Sequence, residues 1–461
     1  MWVESTAKGL LVGTTQRVGL LSSDDNASPI TPTNASYKLQ NAVGCADIKP
    51  IPIGDSVLFV QAARRKLHEM GYNFQTDGYS APDLSTLAEH LTRTGIVDMA
   101  WQQEPINVLW LVLTDGSLIA LTYDKSSEVV GWHRHTLGGQ NVTVDSVAVL
   151  PSDDNSRDEL WLAVTRDISS GTYTAEGGNL SDAYKFVERM DRWYEDDIDQ
   201  EDAFHLDGGT KYTSALVSNI DYSVTSGELT ILTGSLSVGD VILFENTDTA
   251  PFDVLSGTYM KIGSSSELVY LDGSAFDGGS DAGITTYEGT GGFRVCTNTF
   301  TGLQHLAGNT VSVYADGRWL TNQTVPGGIQ GDGIGTVTLD TNQYGARVSI
   351  GLPTTWHMET HRIEAGNEYG TAQGKLKRID EVGIRVYNTL GLQVGDSATN
   401  LRDVVEAYGA NAGVKTPLYT GDHIIKPWPG TYEREGYMYF KGEGPFPAQI
   451  QAIMPRLKTN D

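Results

Sequence analysis

The stretch from Val57 to Trp132 constrains the fold more than any other part of this 461-residue chain. It opens with a short apolar run, Val57–Val60, and reaches two further runs, Val108–Thr114 and Ser117–Tyr123, that are joined by Asp115-Gly116. Asp-Gly between two such runs is the strongest short-range signal for a β-hairpin. The sequence therefore predicts antiparallel β-structure here.

The segment Pro82–Arg93 has a different pattern. Leu84, Leu87 and Leu91 fall at positions i, i+3 and i+7, which predicts one short helix with a single apolar stripe. The whole stretch from Val57 to Trp132 contains no nucleophile beside a base, no metal-ligand spacing and no phosphate-binding loop. It is typical of a structural element.

The rest of the chain predicts a mainly β fold in three parts. Short apolar runs separated by Gly, Asp, Asn and Ser recur throughout. Residues 1–206 are expected to form an irregular propeller-like β domain, because an exact repeat of the WD40 kind is missing. Residues 207–298, rich in Ser, Thr and Gly, are expected to form a small inserted β domain. Residues 299–461 are expected to form a C-terminal β-sandwich, the platform, that includes a hairpin with Asp316-Gly317 at its turn.

The charge is strongly acidic, with 32 basic and 58 acidic residues and a net charge of −26. This argues against a general nucleic-acid-binding surface, which must be basic to neutralise phosphates. One interpretation is an ordinary soluble, self-repelling surface. The other is a conduit whose inner wall repels DNA phosphates so that the duplex slides. Net charge does not distinguish the two, because it does not give the face on which the acids lie.

Cys45 and Cys296 are the two cysteines of the chain. They form neither a disulfide framework nor a zinc pattern. No run approaches the roughly 18–20 apolar residues of a membrane span, and the N-terminus lacks a basic-then-apolar signal sequence. Synthesis and first assembly are therefore expected in a cytoplasm.

An acidic segment, Asp191–Asp202, is the first candidate site; seven of its twelve residues are acidic. The carboxylates are those of Asp191, Glu195, Asp196, Asp197, Asp199, Glu201 and Asp202. Such a run is usually a solvated connector. Oxygen ligands could also hold Ca²⁺, although the order does not match an EF-hand loop.

A glycine-rich segment is the second candidate site, and we expect it to be a mobile gate loop. Its residues are Gly327, Gly328, Gly331, Asp332, Gly333 and Gly335. Neither this segment nor Gly289–Gly292 has the Lys-Ser/Thr pair that a phosphate loop needs, so we expect no nucleotide cofactor.

Two histidine pairs resemble metal motifs. His357 and His361 are spaced as on a helix face, but Glu359 between them does not follow the first histidine directly, as the zincin pattern requires. His133 and His135 lack a visible third ligand. We therefore expect polar strand positions at both pairs and no bound metal. We also expect no catalytic residues and no enzymatic activity. Paired carboxylates for glycoside cleavage are the alternative, but the distance between them that the reaction needs is not visible in a sequence.

The order of many short segments resembles the tail nozzle, or tail tubular protein B-like, proteins of short-tailed bacteriophages. Each segment alone is only a hairpin or a turn, and the likeness covers most of the chain outside roughly 207–290. The segments are Ile30–Asn34 (ITPTN), Val57–Val60 with Arg64–Lys66, Gly71–Tyr79, Ala88–His90, Gly95–Asp98 (GIVD), Trp101–Pro105 (WQQEP), Gly131–His135 (GWHRH), Phe186–Asp191 (FVERMD), Gly302–Gly317, Gly370–Asp380 and Ile384–Gly395.

This resemblance implies a structural virion protein of the phage tail, assembled in the host cytoplasm. Copies, six by family analogy, would ring the DNA channel, and would retain and then conduct the genome during ejection without sequence-specific contacts. Tail adaptor or portal-side proteins and tail fibres would be its partners. The acidic segment would lie at the lumen or at a subunit contact.

One departure and one alternative complete the expectations. Relatives of this kind have a long portion before the ITPTN-like segment, so a separate chain is expected to supply it unless the architecture is shortened. The alternative function is a tail hub or a receptor- or glycan-binding module, in which the part around 210–298 attaches fibres or contacts the host surface.

Overall fold

The structure is a computed structural model, and its described residues fall into two compact units. It describes residues 1–24, 28–75, 77–167, 184–225, 228–231, 236–245, 257–264, 268–274, 287–326, 335–364, 374–405 and 415–459. Unit 1 comprises Met1–Asp167 and Asp182–Asp191; unit 2 comprises Ile168–Ser181 and Arg192–Asp461. Antiparallel sheets dominate both units, which confirms the mainly β fold class. The three-part division at 206 and 298 stays a prediction.

Unit 1 consists of successive sheets whose strands pair in chain order. The first contains β1 (Trp2–Thr6), β2 (Gly9–Gly13), β3 (Val18–Ser23) and β4 (Ala35–Asn41). The second contains β5 (Ile51–Ile53), β6 (Ser56–Val60), β7 (Leu67–Asn73) and β8 (Gly78–Ser80). The third contains β9 (Ile96–Gln102), β10 (Val108–Leu113), β11 (Leu118–Asp124) and β12 (Val129–His135). The fourth contains β13 (Gln140–Pro151), β14 (Asp158–Asp167) and β15 (Tyr184–Arg189).

Neighbouring sheets of unit 1 share hydrophobic cores, so that inner strands are buried on both faces. Along β10, Leu109 and Leu111 enter the core shared with the second sheet, whereas Trp110 and Val112 enter the core shared with the fourth. Successive side chains of a strand point to opposite faces, and a strand buried on both is therefore apolar throughout. Face-to-face packing of this kind is what a propeller-like domain requires of its blades; the propeller itself stays a prediction.

The predicted helix over Pro82–Arg93 is wrong, because this segment is a series of turns. Its shorter backbone hydrogen bonds join residues three apart, from Ala88 N–H to the Ser85 carbonyl and from Leu91 N–H to the Ala88 carbonyl, each at 2.9 Å. The Asp83 carboxylate accepts hydrogen bonds from the backbone and hydroxyl of Ser85 at 2.8 and 2.6 Å, and such local bonds compete with a helix. Leu84 and Leu91 pack on the core, but Leu87 is 94% exposed.

The predicted hairpin at Asp115-Gly116 is confirmed by the pairing of β10 with β11. Gly116 has a φ of +79°, and a Cβ atom there would lie 2.4 Å from Cβ of Thr143. Gly54 has a φ of +57° with no atom within 4 Å.

These two glycines give a matched prediction. Gly54→Ala should lower the free energy of unfolding by about 1 kcal/mol, the cost of a left-handed backbone for a residue with a Cβ. Gly116→Ala should lower it by about 2 kcal/mol, because the overlap with Thr143 adds to the same strain. Urea titrations of both variants measure the difference, and equal losses would show that the Thr143 contact contributes nothing.

Unit 2 begins with sheets built from strands that are distant in sequence. One contains β16 (Asp207–Thr213), β24 (Thr310–Ala315), β25 (Arg318–Thr324) and β27 (Arg347–Leu352), in the order β16-β27-β24-β25. A larger sheet contains β17 (Leu216–Thr225), β18 (Glu228–Ile231), β19 (Val241–Glu245), β20 (Tyr259–Ile262), β21 (Leu268–Tyr270) and β22 (Tyr287–Cys296), in the order β18-β17-β22-β19-β20-β21. The short strands β23 (Thr299–Phe300) and β26 (Val337–Thr338) pair with each other.

The C-terminal part of unit 2 contains two sheets around one core. The first contains β28 (Trp356–Glu359), β30 (Leu392–Ser397), β31 (Asn400–Val405) and β33 (Tyr439–Gly442), in the order β28-β33-β30-β31. The second contains β29 (Lys377–Thr389), β32 (Tyr419–Ile425) and β34 (Gln449–Thr459), in the order β32-β29-β34. Ile384 of β29 and Phe440 of β33 are fully buried in the shared core, as in two packed β layers.

Two short 3-10 helices, Gln200–Asp202 and Gln304–Leu306, are the helical elements of the described residues. Among those residues, no helix has the length and apolar character that crossing a membrane would require.

Candidate functional site

The acidic segment Asp191–Asp202 contributes side chains to a polar network within unit 2. The Asp196 carboxylate accepts hydrogen bonds from the Tyr387 hydroxyl and, at 2.6 Å, from the Asn388 amide. Asp197 forms an ion pair with Arg192 at 2.9 Å. Glu195 is exposed and Asp191 is half-buried.

The last turn of this segment, the 3-10 helix Gln200–Asp202, is anchored in unit 2. The Gln200 amide donates a hydrogen bond to the Thr416 carbonyl at 2.9 Å. The Gln200 carbonyl accepts one from the Tyr314 hydroxyl at 3.2 Å. Gln200, Glu201 and Ala203 are buried, so this end of the acidic segment is not a solvated connector.

Arg347, on β27, lies among carboxylates that come from two separate parts of unit 2. Its Nη1 lies 3.1 Å from Asp199 and 3.3 Å from Asp202. Its Nη2 lies 2.9 Å from Glu245, on β19, and 3.8 Å from Glu201. We call these five residues the Arg347 cluster. The side chains of Arg347, Glu201 and Glu245 are only 10–12% exposed.

Other cations balance the charge of the Arg347 cluster. Glu245 also pairs with Arg294 at 2.7 Å, Glu201 with Lys415 at 2.9 Å, and Asp202 with Lys211 at 3.8 Å. Burial alone would lower the pKa of Arg347, but the carboxylates of Glu245 and Glu201 outweigh it, so that the pKa is raised. Each buried charge therefore has an ion-pair partner, although Nε of Arg347, Oε2 of Glu201 and Oε1 of Glu245 have no hydrogen bond to a described residue. The cluster joins the acidic segment to two sheets.

The described residues of the acidic segment do not form a cluster of metal-ligating side chains. Across the described part of the chain, no three His, Cys, Asp or Glu side chains are grouped so that they could hold one. The placement of the acidic segment at a channel lumen or subunit contact stays a prediction.

Asp316 connects the Arg347 cluster to the predicted hairpin of β24 and β25, whose pairing confirms that hairpin. Asp316 and Gly317 have φ values of 48° and 78°, as a tight hairpin turn requires. The buried Asp316 carboxylate accepts hydrogen bonds from the backbone N–H groups of Arg347 and Ala346 at 2.7 and 2.9 Å, and from the Tyr259 hydroxyl. Burial, and then the Asp316 charge, raise the pKa of Tyr259 well above its usual range.

Sequence reasoning predicted Asp316 only as a turn residue and did not single out Arg347 or Glu245. A signal for Arg347 was present, because it lies in the run Ala346–Ile350, which was predicted as a strand. A charged residue at a buried strand position requires a partner. The partners, Asp199 and Glu245, lie about a hundred residues or more away in the chain, so no local pattern could identify them.

The first histidine pair lies on the edge strand β12. Nδ1 of His133 and Nε2 of His135 share a hydrogen bond of 2.7 Å, and Nε2 of His133 shares one of 3.0 Å with the Thr122 hydroxyl. The His135 ring lies 4.7 Å from the Trp110 ring. Burial lowers the pKa of His133, and burial followed by the charge of His133 lowers that of His135 to about 4. The pair is therefore neutral at pH 7.

The second histidine pair, His357 and His361, has the exposed positions that were expected. His357 and Glu359 lie on β28 with exposed side chains, and His361 follows the strand. The His357 ring stacks on Tyr439 with centroids 5.8 Å apart.

The candidate gate loop falls largely outside the described residues. Gly327, Gly328, Gly331, Asp332 and Gly333 lie there. Gly335 is described, with a φ of +66°. The gate stays a prediction.

Comparisons with known proteins do not place the chain in a family. No protein-family profile matches it, and no curated protein matches it. Among solved structures, it is similar to two variants of the exo-β-1,3-galactanase from Phanerochaete chrysosporium, each with β-1,3-galactotriose. The TM-scores are 0.20 and 0.18 and the identities 11% and 10%, over 95% and 96% of this chain and 100% of each of those chains. A likeness of this size carries no argument about activity.

Proposed function

We propose that this chain is a structural component of a short-tailed bacteriophage tail, a nozzle or tail-tube subunit whose copies form a ring around the DNA channel. The ring retains the packaged genome and conducts it during ejection. The mechanism is steric and conformational. The proposal rests on the resemblance in segment order and on the position of those segments in unit 1.

The observation that carries the proposal is that the resembling segments before residue 136 form strands and turns of unit 1. Val57–Val60 lies within β6, the segment Gly71–Tyr79 spans the β7–β8 hairpin, and Gly131–His135 lies in β12. The turns between these strands are fixed by side chains. The Thr92 hydroxyl donates to the Arg65 carbonyl at 2.8 Å, and the Trp132 indole donates to the Leu84 carbonyl at 3.1 Å. Side chains that hold turns in this way stabilise the shape of unit 1, as a structural subunit requires.

Exposed apolar side chains on outer strands of unit 1 also fit an assembling subunit. Val187 on β15 is 75% exposed, and Tyr37 and Leu39 on β4 are about half exposed. Both strands are last in the sheets of the described residues, and an edge strand is the usual place for pairing with another chain. Repeated contacts between unlike surfaces close into a ring when the rotation between copies allows it.

The acidic charge suits the conducting role. A wall that carries part of the net charge of −26 repels phosphates, whereas a basic wall would bind the duplex in a salt-dependent manner. DNA then passes without sequence-specific contacts.

Electron microscopy of the purified protein tests the proposal, alone and mixed with the adjacent tail adaptor protein, with native mass spectrometry for the copy number. We expect rings with a central hole, sixfold by family analogy, formed alone or only with that partner. A stable monomer that ignores the partner would contradict the ring and favour the receptor- or glycan-binding alternative.

A further inference from the structure

Unit 1 contains a cavity of about 420 Å³ that the proposed ring function does not use. Three segments line it: the turns around His90–Thr94, the β10–β11 hairpin turn, and the chain from Arg134 to Val144. Small-molecule sites have volumes of roughly 300–1,000 Å³. The cavity is therefore large enough for one small ligand.

The charge of this cavity is opposite to that of the protein. Arg93 and Arg134 both line it, and neither forms an ion pair with any residue in the described ranges. Asp115 is the carboxylate in the lining, and it accepts a hydrogen bond from the Ser117 N–H at 3.0 Å within its own turn. In a chain with 58 acidic and 32 basic residues, two exposed arginines that line one cavity without an ion pair to a described residue favour an anionic ligand.

The remaining lining is amphipathic. Leu137 is half-buried and supplies apolar surface, whereas Leu113 and Leu118 are only 3% and 2% exposed. Thr94, Ser117 and Thr136 supply hydroxyl groups that donate and accept hydrogen bonds. Guanidinium groups bind carboxylate and phosphate oxygens in a forked geometry. A bare inorganic anion would leave the apolar and hydroxyl surfaces unused, whereas a ligand with a polyhydroxylated ring would contact them.

We propose that this cavity binds an anionic sugar, with its carboxylate or phosphate held by Arg93 and Arg134 and its ring against Leu137 and the hydroxyl groups. This inference is independent of the ring function, because the cavity lies within unit 1 and needs no second subunit.

The first test compares four probes by saturation-transfer NMR and calorimetry on the full chain: glucuronate, glucose 6-phosphate, neutral glucose and inorganic phosphate. We expect glucuronate or glucose 6-phosphate to bind, and the one that binds identifies the anionic group. Neutral glucose should bind at least about tenfold more weakly, because hydrogen bonds to a charged group are worth about 1.5–3 kcal/mol. Absence of binding by both anionic sugars overturns the proposal. Binding of inorganic phosphate as tight as that of the sugars overturns the role of the ring.

The second test uses Arg93→Gln and Arg134→Gln, with Arg17→Gln as the matched control. Arg17 is an exposed arginine of unit 1 that lines no part of this cavity. Each cavity variant should weaken binding about tenfold, and the control should stay within twofold. Circular dichroism checks that the variants are folded, and ring images should be unchanged in all three. Equal affinity in wild type and both cavity variants overturns the assignment of the two arginines.

Discussion

Replacing Arg347 by methionine is expected to destabilise unit 2 by about 3 kcal/mol, because it removes the shared cation of the Arg347 cluster. Glu201 and Glu245 are each about nine-tenths buried at their side chains and would lose an ion-pair partner at 3.8 and 2.9 Å. Glu245 keeps Arg294 and Glu201 keeps Lys415 as a partner, but each desolvated carboxylate loses one of its two cations, so its desolvation is less well repaid. Asp199 is 71% exposed, so water replaces its contact and it adds little.

Urea titration measures this loss, with pulsed hydrogen exchange and mass spectrometry to assign unfolding to β19 and β27. Arg385→Met is the matched control, since Arg385 pairs with Asp422 at 2.7 Å but both side chains are about half exposed. That exposed pair should contribute little to stability, because water and salt screen it. Equal losses in the two variants would contradict the special position of Arg347.

A double variant separates unpaired charge from lost packing. Adding Glu201→Gln to Arg347→Met removes one of the carboxylates that lost a cation, and about 1 kcal/mol of stability should return. If the double variant is no more stable than Arg347→Met alone, the loss comes from packing of the arginine stem and not from the charges.

The sequence was most informative where the local pattern determines the structure. The turns at Asp115-Gly116 and Asp316-Gly317 were predicted because a tight hairpin limits which residues have positive φ. The run Val57–Val60 indicated an extended strand, and the structure explains its uniform apolar character by burial on both faces.

Prediction from the local sequence pattern failed where two local signals competed, or where the partner of a residue lies far away in the sequence. Over Pro82–Arg93, leucine spacing favoured a helix, but the side-chain hydrogen bonds of Asp83 and the contacts of Leu84 and Leu91 with the core gave turns. In the acidic segment, the sequence showed the charge and not the partner, since Arg347 lies 145 and 148 residues from Asp202 and Asp199. Likewise, no local pattern indicates that Arg93 and Arg134 line one cavity.

Acidification should destabilise unit 1 by about 3 kcal/mol through His135 alone. The pKa of His135 is lowered from 6.5 to about 4 in the folded protein, first by burial and then by the charge of His133. When folding lowers the pKa of a group, its contribution to the free energy of unfolding is fully present at pH values above its pKa in the unfolded chain. Its contribution is lost as the pH falls through the folded pKa. The loss therefore falls between pH about 6.5 and about 4.

Carboxylates with lowered pKa act in a separate pH window. Hydrogen bonds from Ser126 and Ser127 lower the pKa of Asp124 from 3.8 to about 2, so its contribution is lost only at more acidic pH. A decline in the stability of unit 1 between pH about 6.5 and about 5 therefore comes from the buried histidines.

Urea titrations at a series of pH values measure this dependence, with pulsed hydrogen exchange to follow the peptides of β10–β12. In His135→Gln the slope of unfolding free energy against pH should fall by most of its wild-type value, because the neutral amide takes up no proton. His90→Gln, which changes an exposed histidine of the same unit, should reproduce the wild-type slope. Comparison of slopes removes any constant packing cost of either substitution. An unchanged slope in His135→Gln would show that His135 takes up its proton without opening unit 1, and the neutral buried pair on β12 would then have to be abandoned.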